Sequence, residues 1–359
     1  MIQVAIIGCG VIGQVHAAAV AAVGGASLRW ACDLVPARCA RIQAERRTLD
    51  AAEVLADPDV DLVCIGTPHP THAELVVAAL AAGKHVWCEK PLASHPTDLD
   101  RILAAAAAQP QLVASGVFQH RFSPLARRLR ELIAAGGFGR INALDIEFAC
   151  TRDAAYYASA DWRGSWRGEG GGVALNQAIH TLDLGLWLTE AKPIQVTTQA
   201  MRRRLACIEV ETRLLASIAC QDGLIATFRA DNDSVTAWHQ RIVLTGTLGR
   251  VVLGDQHHLE TIEHSDSALR ADLRALAGQS PDGRPLGGGK IEYGDQHTAQ
   301  LADVLAAIRG GRPPLVSVAD AALSNAVVLA CYQSQATGSP IDLPIDPRLY
   351  CTPQLPLES

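Results

Sequence analysis

The stretch VAIIGCGVIGQVHAAAV, residues 4–20, decides the fold. Its first part is a short apolar run that ends at a glycine, which is typical of a strand buried on both faces, and its last part has helical spacing. Gly8, Gly10 and Gly13 stand between the two parts as G-x-G-x-x-G. Glycines in this position predict a phosphate-binding turn, because they allow a tight bend, a close approach of backbone N–H groups to a pyrophosphate, and close packing of helix on strand.

A carboxylate, Asp33, ends the next apolar run, LRWACD. Such a carboxylate can accept hydrogen bonds from both ribose hydroxyls of NAD, and it would repel the 2′-phosphate of NADP. Arg38 lies close enough in the sequence to keep NADP possible. We therefore predict a dinucleotide site that favours NAD, and its predicted contacts in the turn are Gly8, Gly10, Val11, Ile12 and Gly13.

Two kinds of sequence pattern divide the chain near residue 120. Before it, strand-like and helix-like runs alternate, including a helix from Pro36 to about Arg47. This alternation predicts an N-terminal Rossmann domain over 1–120 with a parallel sheet. After it, extended runs joined by short turns predict a second α/β domain over 121–359 with a large, mostly antiparallel sheet.

The composition is typical of a globular protein from a reducing compartment. The chain has 359 residues and a formal net charge of −6 with no block of like charges, which argues against nucleic acid as a partner. Its ten cysteines include no C-x-x-C pair and lie mostly in apolar runs, so we predict small, reduced core residues. The N-terminus lacks a basic segment, and Gln14 and His16 interrupt the first apolar stretch. We therefore expect a soluble, cytoplasmic protein with no membrane partner.

A second segment, TPHPTHAELVVAALAAGKHVWCEKPLA at residues 67–93, resembles the hallmark of the Gfo/Idh/MocA oxidoreductase family, T-P…H-x-x…A-G-K-H-V…E-K-P. The resemblance covers essentially the whole chain. Further segments follow in the family's order: QHRFSP at 119–124, WRG at 162–164, GGGVALNQAIHTLD at 170–183 and GTLGRVVL at 246–253. Together with these segments the E-K-P tripeptide is specific for the family, although the tripeptide alone would not indicate it.

The resemblance implies that Lys90 is catalytic, at the end of the fifth strand beside the nicotinamide. A separate physical argument agrees, because ligands of open parallel sheets bind outside the carboxyl ends of the strands. A lysine near a desolvated pocket can have its pKa lowered toward neutrality, and it can then exchange a proton with a substrate hydroxyl. We predict that Lys90 contacts both cofactor and substrate, and the family pattern adds these cofactor contacts: Thr67, Pro68, His72 and Glu89.

The segment LNQAIHTLD supplies a second catalytic element. Asn176, His180 and Asp183 are spaced i, i+4 and i+7, so on a helix they share one face. The family commonly has D-x-x-x-H here, with the histidine aiding proton transfer, whereas Asn176 replaces that aspartate. An amide cannot take up a proton or stabilise an imidazolium as a carboxylate would. We therefore predict proton transfer by Lys90 and His180, and substrate contacts from Asn176, His180 and Asp183.

Five of the sixteen aromatic residues lie between 148 and 166, and three arginines are interleaved with them. Aromatic faces stack on the C–H surface of a sugar, and guanidinium groups bind hydroxyls or carboxylates. The alternative interpretation is a packed, rigid loop. We predict substrate contacts at Arg152 and Tyr156, and the resemblance implies that Trp162 and Arg163 lie near the cofactor.

These patterns together predict an NAD(P)-dependent dehydrogenase or reductase that acts on a carbinol carbon of a sugar, cyclitol or sugar derivative. Two alternatives stay open: an enzyme that retains NAD and cleaves a glycosidic bond through transient oxidation, and a non-catalytic regulator that senses the dinucleotide. The resemblance also implies a homodimer or homotetramer, in which the antiparallel sheet of 121–359 meets another subunit. His69 and His72 are not predicted to bind a metal, and His257 and His258 are predicted to form a surface turn.

Overall fold

The computed structural model describes residues 1–277 and 294–358. The segment SPDGRPLGGG (280–289), which its glycines and prolines predict to be a loop, lies outside these described residues. Contacts between residues divide the chain into two compact units: a first unit, Met1–Gln119 with Leu286–Ala322, and a second unit, His120–Pro285 with Leu323–Ser359.

This division differs from the predicted continuous domain over 121–359, because a late helix belongs to the first unit. The helix Gly294–Gly310 contributes Leu301, Val304 and Leu305 to the apolar core that surrounds the first strand of the chain. Side chains buried in one core fold as one body, whatever their distance in the sequence. The order of the sequence therefore does not show that the helix Gly294–Gly310 belongs to the first unit.

Six strands form a parallel sheet in the first unit: β1 (Ile2–Ile7), β2 (Ala26–Cys32), β3 (Arg46–Thr48), β4 (Leu62–Ile65), β5 (His85–Cys88) and β6 (Ala114–Gly116). Their order in the sheet is β3-β2-β1-β4-β5-β6. Successive strands are added on one side of β1 as far as β3 and on its other side from β4 onward, so the strand order reverses between β1 and β4. Open α/β sheets bind ligands at such a switch point. The predicted Rossmann sheet is confirmed.

Five helices connect these strands: α1 (Val11–Ala22), α2 (Pro36–Cys39), α3 (Ala51–Ala56), α4 (His72–Ala81) and α5 (Pro96–Ala107). The helix predicted from Pro36 to about Arg47 is wrong, because α2 is a single turn and the later residues form β3. Backbone pairing of Arg46 with Trp30 of β2 competes with the helix there. The guanidinium of Arg47 also donates to the carbonyls of Cys39 and Ile42, at 3.3 and 2.9 Å, which fixes the bend after the short helix.

Eight strands form the sheet of the second unit: β7 (Ile141–Thr151), β8 (Pro193–Arg202), β9 (Arg213–Cys220), β10 (Ile225–Asp231), β11 (Asp233–Gly246), β12 (Gly249–Leu253), β13 (Leu259–His264) and β14 (Ile341–Asp342). Their order is β13-β12-β11-β7-β10-β9-β8-β14. Only β7 and β10 are parallel among these pairs, so the predicted mostly antiparallel sheet is confirmed.

The remaining helices are α6 (Pro124–Ala134), α7 (Ala154–Ala158), α8 (Ile179–Leu188), α9 (Ser267–Ala277), α10 (Gly294–Gly310) and α11 (Val318–Thr337). A π-helical segment, Ala174–Ala178, leads directly into α8. Along the described part of the chain, no helix is both long and apolar enough to cross a membrane. Eight of the ten cysteines are buried, all ten thiols are free, and the two exposed ones are Cys207 and Cys351.

Candidate active site

The glycine-rich turn between β1 and α1 can accept a pyrophosphate. Gly8 has a φ of +97°, and a Cβ there would lie 2.5 Å from the backbone of Gly66 after β4. A Cβ on Gly13 would lie 2.1 Å from the carbonyl oxygen of Gly8, so α1 packs against the turn more closely than any side chain allows. At Gly10, by contrast, nothing lies within 4 Å of an added Cβ, and no side chain caps the first amides of α1. Open space over uncapped amides fits a phosphate group.

Asp33 lies beside this turn, as the sequence predicts. Its Oδ2 accepts a hydrogen bond from the backbone N–H of Cys9 at 2.9 Å, and its Oδ1 accepts one from Val35 at 2.9 Å. Each carboxylate oxygen keeps a further lone pair for a ribose hydroxyl. The Arg38 guanidinium lies 3.8 Å from Oδ1, and its side chain is 54% exposed. The residues present therefore fit a dinucleotide.

The E-K-P turn directly follows β5, at the carboxyl edge of the parallel sheet. Glu89 is buried, and its Oε1 lies 2.9 Å from Nε2 of His16, a residue of α1. The ring of His16 stacks on that of Trp87, with 4.4 Å between the ring centroids. Glu89 Oε2 accepts the backbone N–H of Lys90 at 3.3 Å, and the peptide between Lys90 and Pro91 is cis. Burial alone would raise the pKa of the Glu89 carboxyl, but the hydrogen bond from His16 and the charges of His16, His297 and Lys90 together outweigh burial and lower that pKa.

His72, at the start of α4, connects two turns of the site. Its Nδ1 lies 2.7 Å from the carbonyl oxygen of Pro91, and its Nε2 lies 2.8 Å from that of Thr67. The ring is fully buried beneath the backbone, so His72 holds the E-K-P turn and the turn after β4 together. Thr67 is half-buried and Pro68 is exposed at that turn, and both remain candidates for direct contact with the cofactor.

Tyr156 is the centre of the aromatic loop in the second unit. The guanidinium groups of Arg163 and Arg152 lie 4.2 and 4.8 Å from the centroid of its ring. Its hydroxyl accepts hydrogen bonds from Nδ2 of Asn176 at 3.2 Å and from Nε2 of Gln177 at 2.9 Å. The structure thus brings together Arg152, Tyr156 and Asn176, which the sequence predicts as substrate contacts. The Arg163 guanidinium also lies 4.7 Å from the ring of Trp162, its predicted neighbour at the cofactor.

Glu169 is a site residue that the sequence analysis missed. Its side chain is almost fully buried, Oε2 accepts the backbone N–H of Gly164 at 2.7 Å, and Oε1 accepts a short hydrogen bond from Nδ2 of Asn176. Because this contact joins a carboxyl oxygen of Glu169 to the amide nitrogen of Asn176, it fixes the orientation of the Asn176 amide, with Nδ2 towards Glu169. An acid directly before the three glycines at 170–172 was the available signal.

Glu211 is a second buried carboxylate that the sequence analysis missed. Its Oε2 accepts the backbone N–H of Gly172 at 2.8 Å, and its Oε1 accepts the N–H of Ala174 and the hydroxyl of Tyr332, each at 3.0 Å. It therefore caps the start of the helical segment that carries Asn176. Burial raises the pKa of Glu211 to about 7, although these hydrogen bonds oppose that rise.

Asp183 lies in the interior of the second unit. Its carboxylate accepts two hydrogen bonds from the Arg121 guanidinium, at 2.7 and 2.5 Å, and one from the Ser324 hydroxyl at 2.9 Å. The π-helical segment before α8 contains more residues per turn than an α-helix, so the i, i+4, i+7 spacing from Asn176 is not that of a regular α-helix. Asp183 has a buried ion pair, and its contact with substrate stays a prediction.

His180, on α8, belongs to a cluster of three histidines. Its ring lies edge-on to that of His120, with 5.3 Å between centroids, and the His120 ring lies 4.5 Å from that of His257. His257 is only 3% exposed, so its predicted surface turn is wrong, whereas His258 is exposed. The N–H of His257 donates to the carbonyl of Gly254 at 2.8 Å in a tight turn. This turn directs the His257 ring into the protein interior. Within the described ranges, no group of three or more acidic, histidine or cysteine side chains could hold a metal ion.

The parallel sheet, the glycine turn and the E-K-P turn define a dinucleotide-dependent oxidoreductase. Residues 2–117 match the family model described as the oxidoreductase family with an NAD-binding Rossmann fold, and residues 126–252 match the GFO/IDH/MocA C-terminal domain. The chain belongs to the Gfo/Idh/MocA oxidoreductase family. This confirms the predicted family, the enzyme class and NAD as the cofactor.

Similar proteins cover nearly the whole chain. Myo-inositol 2-dehydrogenase of Thermotoga maritima is 25% identical in an alignment that covers 89% of this chain and 91% of that protein. Levoglucosan dehydrogenase of Pseudarthrobacter phenanthrenivorans is 25% identical in an alignment that covers 96% of this chain and 98% of that protein. The crystal structure of the WlbA dehydrogenase from Bordetella pertussis, in complex with NADH and UDP-GlcNAcA, has a TM-score of 0.83 and 26% identity, and covers 96% of this chain and 98% of that one.

Proposed function

We propose that this protein catalyses reversible hydride transfer between C4 of a nicotinamide and a carbinol carbon of a sugar, cyclitol or sugar derivative. The observation that carries the proposal is the fixed position of Lys90 at the carboxyl edge of the sheet. Its turn is held from one side by the His16–Glu89 pair and from the other by His72. A turn fixed in this way suits a residue that must meet a bound substrate in one geometry.

The residues of the chain then have separate roles in the reaction. Bound NAD supplies the hydride acceptor. Lys90 and His180 exchange the proton of the substrate hydroxyl, as general acid–base groups. Asn176 hydrogen-bonds a substrate hydroxyl, and its Nδ2 donates to Glu169 and Tyr156. The aromatic and guanidinium groups around Tyr156 contact the ring of the sugar.

The similar proteins support a hydroxylated ring as the substrate. Their names and titles refer to inositol, levoglucosan and UDP-GlcNAcA, which share carbinol carbons on a six-membered ring. The loop around Tyr156 supports the same class, because it combines aromatic faces with hydrogen-bond donors and acceptors. We propose NAD in preference to NADP, because the Asp33 carboxylate would repel a 2′-phosphate.

We also propose that the protein works as a homodimer or homotetramer in the cytoplasm. On the second-unit sheet, Leu215 of β9 and Ile225 of β10 are 39% and 59% exposed, and exposed apolar side chains on an antiparallel sheet are covered in many oligomers. The eight buried thiols fit a reducing compartment. Light scattering on the purified protein measures its mass, and a monomer at micromolar concentration would contradict the oligomer.

The test of the proposed function is a panel of cyclitols, aldoses and sugar acids, incubated with the protein and NAD while NADH absorbance is followed. Net formation of NADH with at least one member supports the dehydrogenase. Glycoside cleavage with NAD retained and without net NADH would instead support an enzyme that uses transient oxidation. Tight NAD binding with neither reaction would support a dinucleotide-sensing regulator, and the proposal would be abandoned.

A further inference from the structure

The histidine at position 257 is buried without a hydrogen-bond partner. Its side chain is 3% exposed, and neither Nδ1 nor Nε2 bonds to any residue that the structure describes. Buried polar atoms in native proteins almost always have a hydrogen-bond partner, because burying a donor or an acceptor without one is energetically unfavourable. Two such atoms on one ring call for a ligand that supplies the missing partners.

The backbone that carries this ring is strained as well. Gln256 and His257 have φ values of +54° and +61°, in the left-handed region that side chains disfavour. Two consecutive non-glycine residues in this region persist only where the surrounding structure enforces them, and such positions concentrate at binding and catalytic sites. Here the strain turns an imidazole inward, whereas a glycine at either position would relieve it.

The ring lies in the histidine cluster that includes the proposed proton-transfer residue. His257 packs on His120 at 4.5 Å, and His120 packs on His180 at 5.3 Å between ring centroids. The three residues come from separate segments: the start of the second unit, the helix α8 and the turn between β12 and β13.

The protonation state of the ring suggests the chemistry of that ligand. Burial, together with the neighbouring imidazoles of His120 and His258, lowers the pKa of His257 well below its ordinary value. The ring is therefore neutral, with one N–H donor and one lone-pair acceptor. A hydroxyl group can donate and accept at once, and a polyol carries several hydroxyls next to each other, so a neutral imidazole matches a hydroxylated substrate.

We propose that His257 is a further substrate-contacting residue, which binds a hydroxyl group of the sugar or cyclitol through its ring nitrogens beside His180. The proposal rests on the proposed function and adds a specificity-determining residue to the same site. It assigns recognition to His257 and leaves proton transfer to Lys90 and His180. Loss of His257 should therefore weaken substrate binding more than it slows turnover.

The first experiment uses His257→Phe, which keeps an aromatic ring against His120 and removes both nitrogens. The variant should raise KM by about 10-fold, with kcat within about 2-fold of the wild type. The matched control is His258→Phe, because that neighbouring side chain is exposed. It should leave both constants unchanged.

Deoxy analogues of the substrate identify the contacted hydroxyl. In the wild type, one analogue should bind about 10-fold more weakly than the parent, because it leaves the imidazole unpaired. In His257→Phe the same analogue should bind as well as the parent. An equal loss for every analogue in both proteins would overturn the proposal.

A thermal measurement separates this proposal from the proposed function. Binding is read as the rise in Tm that a saturating polyol produces, which requires no turnover. His257→Phe should keep or raise the Tm of the free protein, since it removes two unpartnered buried nitrogens, and should reduce the polyol-induced rise. A fall in Tm with an unchanged polyol-induced rise would make His257 a structural residue. Polyol binding by the wild type without NADH formation would instead contradict the proposed function, while the binding role of His257 would still be supported.

Discussion

The candidate functional residues of the two units are held in different ways. In the first unit, the glycine turn and the E-K-P turn directly follow parallel strands, and backbone contacts and a His–Glu pair hold them. In the second unit, the aromatic loop and the helix with His180 are held by three buried carboxyl groups, Glu169, Glu211 and Asp183. The comparison teaches that a motif at a strand end keeps its geometry through the sheet, whereas the second-unit residues depend on hydrogen bonds to buried carboxyl groups.

Because of this difference, we expect substitutions in the two units to have different effects. Changes at the tips of the first-unit turns should affect chemistry and cofactor choice with little loss of stability, because these side chains project from a backbone that other groups hold. Changes at the buried carboxylates of the second unit should lower the free energy of unfolding, because each would leave buried donors without an acceptor. The predictions below test this contrast.

Asp183→Asn should have the largest effect. It removes one partner of the buried pair with Arg121 and should lower the free energy of unfolding by about 3–5 kcal/mol, measured by denaturant titration. The matched control is Asp272→Asn, since the Arg128–Asp272 pair is at the surface, with side chains 40% and 37% exposed. That change should cost at most about 1 kcal/mol. Equal effects at the two sites would show that the second unit does not depend on this buried pair.

Glu211 should make stability depend on pH. Burial raises its pKa from 4.5 to about 7, so between these values the folded protein holds a proton that the unfolded chain releases. Its contribution is complete below pH 4.5 and is lost as the pH rises through 7. The free energy of unfolding of the wild type, relative to Glu211→Gln, should fall by about 3 kcal/mol across this range.

Denaturant titrations at the two ends of that pH range measure the effect of Glu211. Glu209→Gln is a useful control, because it makes the same substitution two residues earlier at an exposed side chain. A constant difference between the wild type and Glu211→Gln would mean that the carboxyl group does not gain a proton in this range.

Lys90→Met should reduce turnover by about 10²-fold or more, because it removes the group that exchanges the hydroxyl proton. NAD binding and the Tm should persist, which distinguishes this first-unit change from those at the carboxylates. Steady-state kinetics and calorimetric titration with NAD measure both. Lys192→Met, at an exposed lysine of the second unit, is the control. Near-normal turnover of Lys90→Met on the true substrate would refute the assigned role.

Asp33→Ala should have the smallest effect. It removes the carboxylate beside the glycine turn and should reduce the preference for NAD over NADP by about 10-fold, judged from the ratio of kcat/KM for the two cofactors. Two backbone amides, of Cys9 and Val35, also lose their acceptor, so a modest fall in Tm is expected. Unchanged cofactor selectivity would exclude a contact between Asp33 and the ribose.

The first-unit part of the site could be predicted from the sequence to a large extent. Gly8, Gly13 and Asp33 lie where the spacing predicts, because a strand end, a tight turn and a helix start follow one another within a few residues. The same local patterns failed at the helix predicted from Pro36 to about Arg47. Helical spacing does not reveal that a neighbouring strand will pair with Arg46.

The second-unit part could be predicted only in outline. Aromatic residues and arginines indicated the loop around Tyr156, but nothing local indicated that Glu169 would bind Asn176 or that Asp183 would pair with Arg121. The sequence predicts that His257 and His258 form a surface turn, whereas His257 is buried. Its burial depends on how the turn after β12 packs on His120.

By itself, the sequence determined the alternation of strands and helices in the first unit apart from the segment after Pro36, the dinucleotide turn with its carboxylate, and the lysine that follows the fifth strand. These features depend on interactions within a few residues or on the general rule that parallel strands present their carboxyl ends together. Only the tertiary structure decided which acids are buried, which helix returns to the first core, and that His120, His180 and His257 meet. The reason is that burial and pairing between distant positions depend on the packing of a complete sheet and its helices, which no local pattern encodes.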